Sequence, residues 1–225
     1  MVPGGVDVTL VDYIGRYWAG AEIIYGVIIA MTFTSVLRES PVVLDTVMHR
    51  VALTALACCI AWGIVDGIFY SWERGYLFRQ ENRIIELSKS EGQKESAISL
   101  VGEQLDDTIL RTIPGDQRLN LYRHLAGYLS RVDVREKMTL RDSLAIVGGT
   151  LLRSAGAGLV VVTPFFLMDD ARAALWVSNL LGILILFAVG YIRATDRRPL
   201  PRLIYGFGTS LLGIIIVGIT VILGG

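Results

Sequence analysis

Residues 52–74 read ALTALACCIAWGIVDGIFYSWER, and this stretch decides the class of the chain. It is about the ~20 residues that a helix needs to cross a bilayer, and it is apolar almost throughout. One carboxylate, Asp66, interrupts it. After Glu73 the character changes at once to RGYLFRQENRIIELSKSEGQKE, which is too charged for lipid. One segment therefore joins a membrane to a polar region, and it carries an intramembrane acid on the way. Ionisable residues are expensive at such depth, so each one marks a candidate functional site.

Working outward, four further segments are long and apolar enough to span. The expected spans are Tyr17–Leu37, Val51–Trp72, Leu144–Met168, Ala173–Ile192 and Leu203–Leu223. The fold class is thus an all-α membrane protein of five transmembrane helices, with an insertion between the second and third. The expected division is 1–72 for the first two spans, 73–143 for a helical insertion and 144–225 for the last three. Composition agrees: 53% of the 225 residues are hydrophobic, and the mean hydropathy is +0.55. A net charge of zero gives no pointer towards nucleic acid. Met1–Tyr17 carries Asp7 and Asp12 and has no apolar core, so it does not read as a cleavable signal peptide.

The placement of Lys and Arg sets the topology. Arg16, twelve in the insertion and four between Arg193 and Arg202 fall on one side, seventeen in all. Arg38, Arg50 and Arg172 fall on the other, and Arg153 lies within the third span. By the positive-inside rule the N-terminus and the insertion are cytoplasmic, and a prokaryotic cytoplasmic membrane is the expected location.

Within the insertion, Ile84, Ile85 and Leu87, then Ile98, Val101, Leu105, Ile109 and Leu110, recur at helical spacing. Pro114-Gly115-Asp116 breaks that pattern, and Asp116 is the expected N-cap of the next helix. Leu119, Tyr122, Leu125, Ala126 and Leu129 form that helix's apolar stripe. Three helices are expected, the first continuous with the second span. Thr139 to Asp142 reads as an acidic capping box opening the third span.

At this point the chain resembles the vacuolar iron transporter family over nearly its whole length. Glu22-Ile-Ile-Tyr-Gly26 is similar to the opening of that family's first span. Ala61-Trp-Gly-Ile-Val-Asp66 is similar to its second-span signature. Gly148-Gly149, Thr163-Pro164-Phe165-Phe166, Gly190-Tyr-Ile-Arg193, Pro199 and a glycine-rich last span follow in the family's order. The resemblance implies a proton-coupled transporter of divalent metal, Fe²⁺ or Mn²⁺. It also implies a homodimer with the metal path near its interface, and an acidic, metal-collecting insertion. Two departures stand out. The family's Asn-Asp-Gly triplet falls on Ile28-Ile29-Ala30, so Ile29 replaces its first-span acid. In the insertion, Glu81, Glu86, Glu91, Glu95, Glu103, Asp106 and Asp107 alternate with Arg79, Arg83, Lys89 and Lys94 instead of clustering. Weak metal binding by the insertion is therefore expected.

The candidate pathway and metal residues are Asp66 and Glu22, with Met31 as a soft thioether. Asp66 has a competing reading, a buried acid neutralised by Arg153, because the two sit at comparable depth. Glu22 is either a second pathway acid or a side chain that snorkels to water. Met31 and Met48 also fit as packing. Thr32, Thr34 and Ser35 read as backbone-bonded hydroxyls, and His49 and His124 as surface residues. Adjacent Cys58 and Cys59 diverge by ~100° on a helix and read as core rather than as a disulfide. Ser154, Gly158 and the glycines at 148, 149, 156, 206, 208, 213 and 218 read as close-packing positions. No catalytic motif, and no need for a resident cofactor, is legible, so an enzyme is not expected. A non-transporting membrane protein whose insertion binds a partner is the alternative.

Overall fold

The computed structural model describes residues 10–35, 41–134, 138–194 and 198–222. The expected span ends Leu37 and Leu223 lie outside them, as do Arg38, Arg135, Lys137 and Arg197 of the charge tally. The described residues contain no strand. Eight helices are α1 (Leu10–Ser35), α2 (Pro41–Lys89), α3 (Lys94–Leu105), α4 (Gly115–Leu129), α5 (Leu140–Val162), α6 (Pro164–Leu167), α7 (Ala171–Arg193) and α8 (Pro199–Ile222). Five of them, α1, α2, α5, α7 and α8, are long and apolar enough to cross a membrane, which marks an integral membrane protein.

Two compact units divide the chain: residues 1–71 with 140–225, and residues 72–139. In the first unit, α1 is interrupted at Gly15, whose φ of 79° is open to glycine and strained for other residues. α5 ends at Val162, earlier than the expected Met168. Pro164 has no N–H to continue the ladder and instead opens the short α6. α7 begins at Ala171 because the Asp170 side chain accepts from the amides of Arg172, at 2.9 Å, and Ala173, at 3.4 Å.

The core of this unit is built from Val27, Ala30 and Met31 of α1, Ala52, Ala55 and Cys59 of α2, Val161 and Val162 of α5, Phe165 of α6 and Leu186 of α7. Helix contacts run through small residues. A Cβ on Gly26 would strike the backbone of Ser154, and one on Gly63 would meet the Leu151 backbone. Side chains then tie α5 to α2: Thr150 Oγ1 donates to the Gly63 carbonyl at 2.8 Å, and Ser154 Oγ to that of Cys59 at 3.0 Å. Cys59 Sγ donates in turn to the Gly26 carbonyl of α1 at 3.3 Å. Both cysteines are free. Gly158, Gly206 and Gly213 pack closely as expected, but Gly148, Gly156, Gly208 and Gly218 have nothing within 4 Å. On α5 the reason is azimuthal, since the buried positions Ile146, Thr150, Ser154 and Ala157 leave 148 and 156 on another face.

The second unit has its own small core of Ile84, Ile98, Val101, Tyr122 and Ala126, flanked by Leu105, Leu110, Leu125 and Leu129. Gly102 leaves room for the Tyr122 ring, which a Cβ there would meet at 3.3 Å. Ile109, 82% exposed, and Leu119, 40% exposed, lie outside that core. Ile109 sits in a one-turn 3-10 helix, Ile109–Thr112, whose tighter winding leaves it outside. Asp116 is not the cap of α4. The helix starts one residue earlier at Gly115, and Asp116 stands in its first turn, where a negative charge suits the helix dipole.

Candidate functional site

The acids of the first two spans meet on facing stripes of α1 and α2. On α1 the stripe is Trp18, Glu22 and Tyr25; on α2 it is Trp62, Asp66 and Tyr70. Both spacings place side chains on one helix face. The two helices match rung by rung: Trp18 against Tyr70 at 6.3 Å between ring centroids, and Tyr25 edge-on to Trp62 at 6.4 Å. Between these aromatic rungs lie the two carboxylates.

Glu22 is fully buried. One carboxylate oxygen accepts from the Tyr70 hydroxyl at 2.9 Å. The other, Oε2, is buried with no hydrogen-bond partner among the described residues. It does not snorkel. An unpartnered carboxylate oxygen in a closed apolar setting is costly, and only a proton or a cation can offset its charge. Asp66 is half-buried, one helical turn beyond Trp62 on the same face of α2. Both Asp66 and Arg153 are near enough for their charges to act on Glu22.

Arg153 does not pair with Asp66. Its Nη1 donates to the Gly149 carbonyl at 3.2 Å, one turn back on α5, and no ion pair joins it to either acid. Comparable depth placed the two residues at one level, but the azimuth of α5 turns the guanidinium elsewhere. Met31 is not part of the site either. It is nine residues from Glu22, ~13 Å along the helix axis, and it is buried in the core against Gly182 of α7. The replaced acid position, Ile29, packs on that same core. Thr34 Oγ1 donates to the Ala30 carbonyl at 2.9 Å and Ser35 Oγ to that of Met31 at 2.6 Å, so both hydroxyls serve the backbone. His49 and His124 are exposed.

The acids of the second unit are spread out. Glu91 pairs with Lys94 at 3.1 Å. Asp106 pairs with Arg118 at 3.3 Å and accepts from the Tyr122 hydroxyl at 2.8 Å. Among the described residues no three His, Cys, Asp or Glu side chains come together in a way that would hold a metal ion.

Sequence reasoning singled out Glu22 and Asp66 but gave no role to Tyr70 or Trp62. The signal was present, because Trp62, Asp66 and Tyr70 stand at successive four-residue steps. Ser178 and Asn179 of α7 were also missed. Their Oγ and Oδ1 atoms are buried without partners among the described residues, and nothing places them with the acids. Comparison of the sequence with protein-family models and with curated proteins gives no match.

Proposed function

We propose that the chain is a divalent transition-metal transporter that moves Fe²⁺ or Mn²⁺ out of the cytoplasm in exchange for protons. Glu22 and Asp66 are the pathway acids. The observation that carries this reading is Glu22 itself, an acid enclosed between α1 and α2 with one oxygen held by Tyr70 and the other left open. Hard divalent cations take carboxylate oxygens, and a carboxyl group that exchanges a cation for a proton couples the two flows. Two acids are too few for a complete coordination shell, so water or a second copy of the chain supplies the remaining ligands. A homodimer in a prokaryotic cytoplasmic membrane, with the N-terminus and residues 73–143 on the cytoplasmic side, completes the proposal; the Lys/Arg distribution supports that orientation.

A second reading has its own support. Glu22 is tied to an aromatic neighbour, Tyr70, and no three metal-ligating side chains converge among the described residues. A non-transporting membrane protein, with the second unit as the part that binds a partner, would look the same. Metal uptake into proteoliposomes separates the two. Transport predicts uptake by the wild type, its loss in Asp66→Ala and Glu22→Gln, and a proton flux opposite in direction. A wild type that moves neither Fe²⁺ nor Mn²⁺ under an imposed pH gradient supports the second reading.

A further inference from the structure

A groove of about 450 Å³ opens on the outer surface of the first unit, far in character from the acid site. Its walls are Tyr17 and Ile24 of α1 on one side and Tyr205, Thr209 and Leu212 of α8 on the other, with Gly190 and Arg193 of α7 as its floor. Two close approaches shape it. Gly20 leaves room for the Arg193 stem to lie across α1, since a Cβ there would come within 3.0 Å of Arg193 Cδ. Gly190 lets α7 and α8 touch, as a Cβ at that position would meet the backbone of Tyr205.

The groove is chemically two-ended. At one end the Arg193 guanidinium stacks over the Tyr17 ring, 3.9 Å from its centroid. No carboxylate among the described residues pairs with it, and the hydroxyls of Tyr17 and Tyr205 have no partner among those residues either. Each wall then advances seven residues along its helix, Tyr17 to Ile24 and Tyr205 to Leu212, or ~10 Å at 1.5 Å per residue. The advance ends in apolar side chains. Thr209 does not interrupt it, because its hydroxyl donates to the Tyr205 carbonyl at 2.9 Å. A positive charge that shares its groove with two tyrosines, at the end of an apolar furrow in the exposed surface of the first unit, is complementary to one kind of molecule.

We infer that the groove between α1 and α8 is a binding site for an anionic phospholipid, its phosphate at Arg193 with the hydroxyls of Tyr17 and Tyr205, and an acyl chain along Ile24 and Leu212. Basic pockets between transmembrane helices recognise anionic head groups in this way. The inference rests on the chain's being a membrane protein and is independent of what it transports. Arg193 also ends α7, where a cation suits the helix dipole whether or not a lipid is bound. The test must therefore read lipid rather than stability.

Native mass spectrometry of the full-length chain, released from detergent, provides that reading. The probes are phosphatidylglycerol, phosphatidylcholine with the same acyl chains, and soluble glycerol 3-phosphate. Phosphatidylglycerol is expected to be retained about fivefold more tightly than phosphatidylcholine, and glycerol 3-phosphate not to displace it. Arg193→Gln should remove the preference for the anionic lipid while leaving phosphatidylcholine binding unchanged. Leu212→Trp, which keeps the arginine and fills the furrow, should lower retention of both lipids, so the inference stays testable if Arg193→Gln does not fold. Equal retention of the two lipids by the wild type, an undiminished preference in Arg193→Gln, or undiminished retention in Leu212→Trp overturns it. Displacement by glycerol 3-phosphate would show a site for a free phosphate instead, and would overturn it equally.

Discussion

Tyr70 donates to Glu22 at 2.9 Å and Tyr122 donates to Asp106 at 2.8 Å, two nearly identical bonds in opposite surroundings. Asp106 belongs to the second unit, where its side chain is 51% exposed and Arg118 stands 3.3 Å away. Water and a cation already satisfy it, and the phenol adds orientation. Glu22 belongs to the first unit and is fully buried, with Tyr70 on one oxygen and no partner on the other among the described residues. The contrast shows that a phenol–carboxylate bond is not in itself a functional mark. What distinguishes Glu22 is full burial with a second oxygen that no described residue partners.

The packing around the two acids differs in the same sense. In the first unit, helices meet backbone to backbone over glycine; in the second, they meet through side chains around Tyr122. A single added methyl group exposes the difference most strongly. Gly26→Ala drives a Cβ into the Ser154 backbone, which cannot move aside as a side chain would. It is expected to destabilise by about 3 kcal/mol, at the upper end for overpacking. Gly127→Ala on α4 meets nothing within 4 Å and is expected to stabilise by about 0.5–1 kcal/mol through helix propensity alone. Thermal melts of the two variants in the same detergent check the pair, and a destabilising Gly127→Ala would break the comparison.

The next effect falls on the bond itself. Tyr70→Phe leaves both Glu22 oxygens without a donor in a buried site, a change of about 1–3 kcal/mol. If Glu22 is a pathway acid, the variant also loses metal uptake while remaining folded, because the carboxylate is no longer held towards α2. A variant that melts like the wild type would place water or another donor at Glu22 and weaken its claim to be the unsatisfied group.

The span pattern was legible because a bilayer asks only for about 20 apolar residues in a row, a property of composition. The continuation of the second span into a charged helix was legible for a related reason, since nothing between Trp72 and Lys89 stops a helix. The pairing of Asp66 with Arg153 was not. Rise per residue gives depth, whereas contact also needs azimuth. Ser154 faces the Cys59 carbonyl of α2, so Arg153, one residue before it, is rotated away by ~100°. Met31 was open to both a ligand and a packing reading, since a methionine in a span carries no sign of whether it faces an acid or Gly182, and it packs. Tyr70 was within reach of pattern reading, but aromatic residues near span ends are so common that its spacing from Asp66 carried no weight.

The smallest expected effect lies with Tyr122 and is visible only in alkali. Burial pushes its phenol above the ordinary value of 10.0, the hydrogen bond and charge of Asp106 push the same way, and Arg118 pulls in the opposite direction. The folded chain therefore holds this proton to higher pH than the unfolded chain does. The stability that follows is complete below pH 10.0 and is lost as pH rises through the folded value. Tyr122→Phe cannot titrate, so its melting temperature should start below that of the wild type, for want of the bond to Asp106, and the two should converge above pH 10.0. Subtracting the curves removes every contribution that the two proteins share. Parallel curves would mean that Tyr122 titrates alike in both states and that Asp106 is held by Arg118 alone. In that case the phenol would matter in the membrane pair and not in the insertion, which would sharpen the contrast between the two acids.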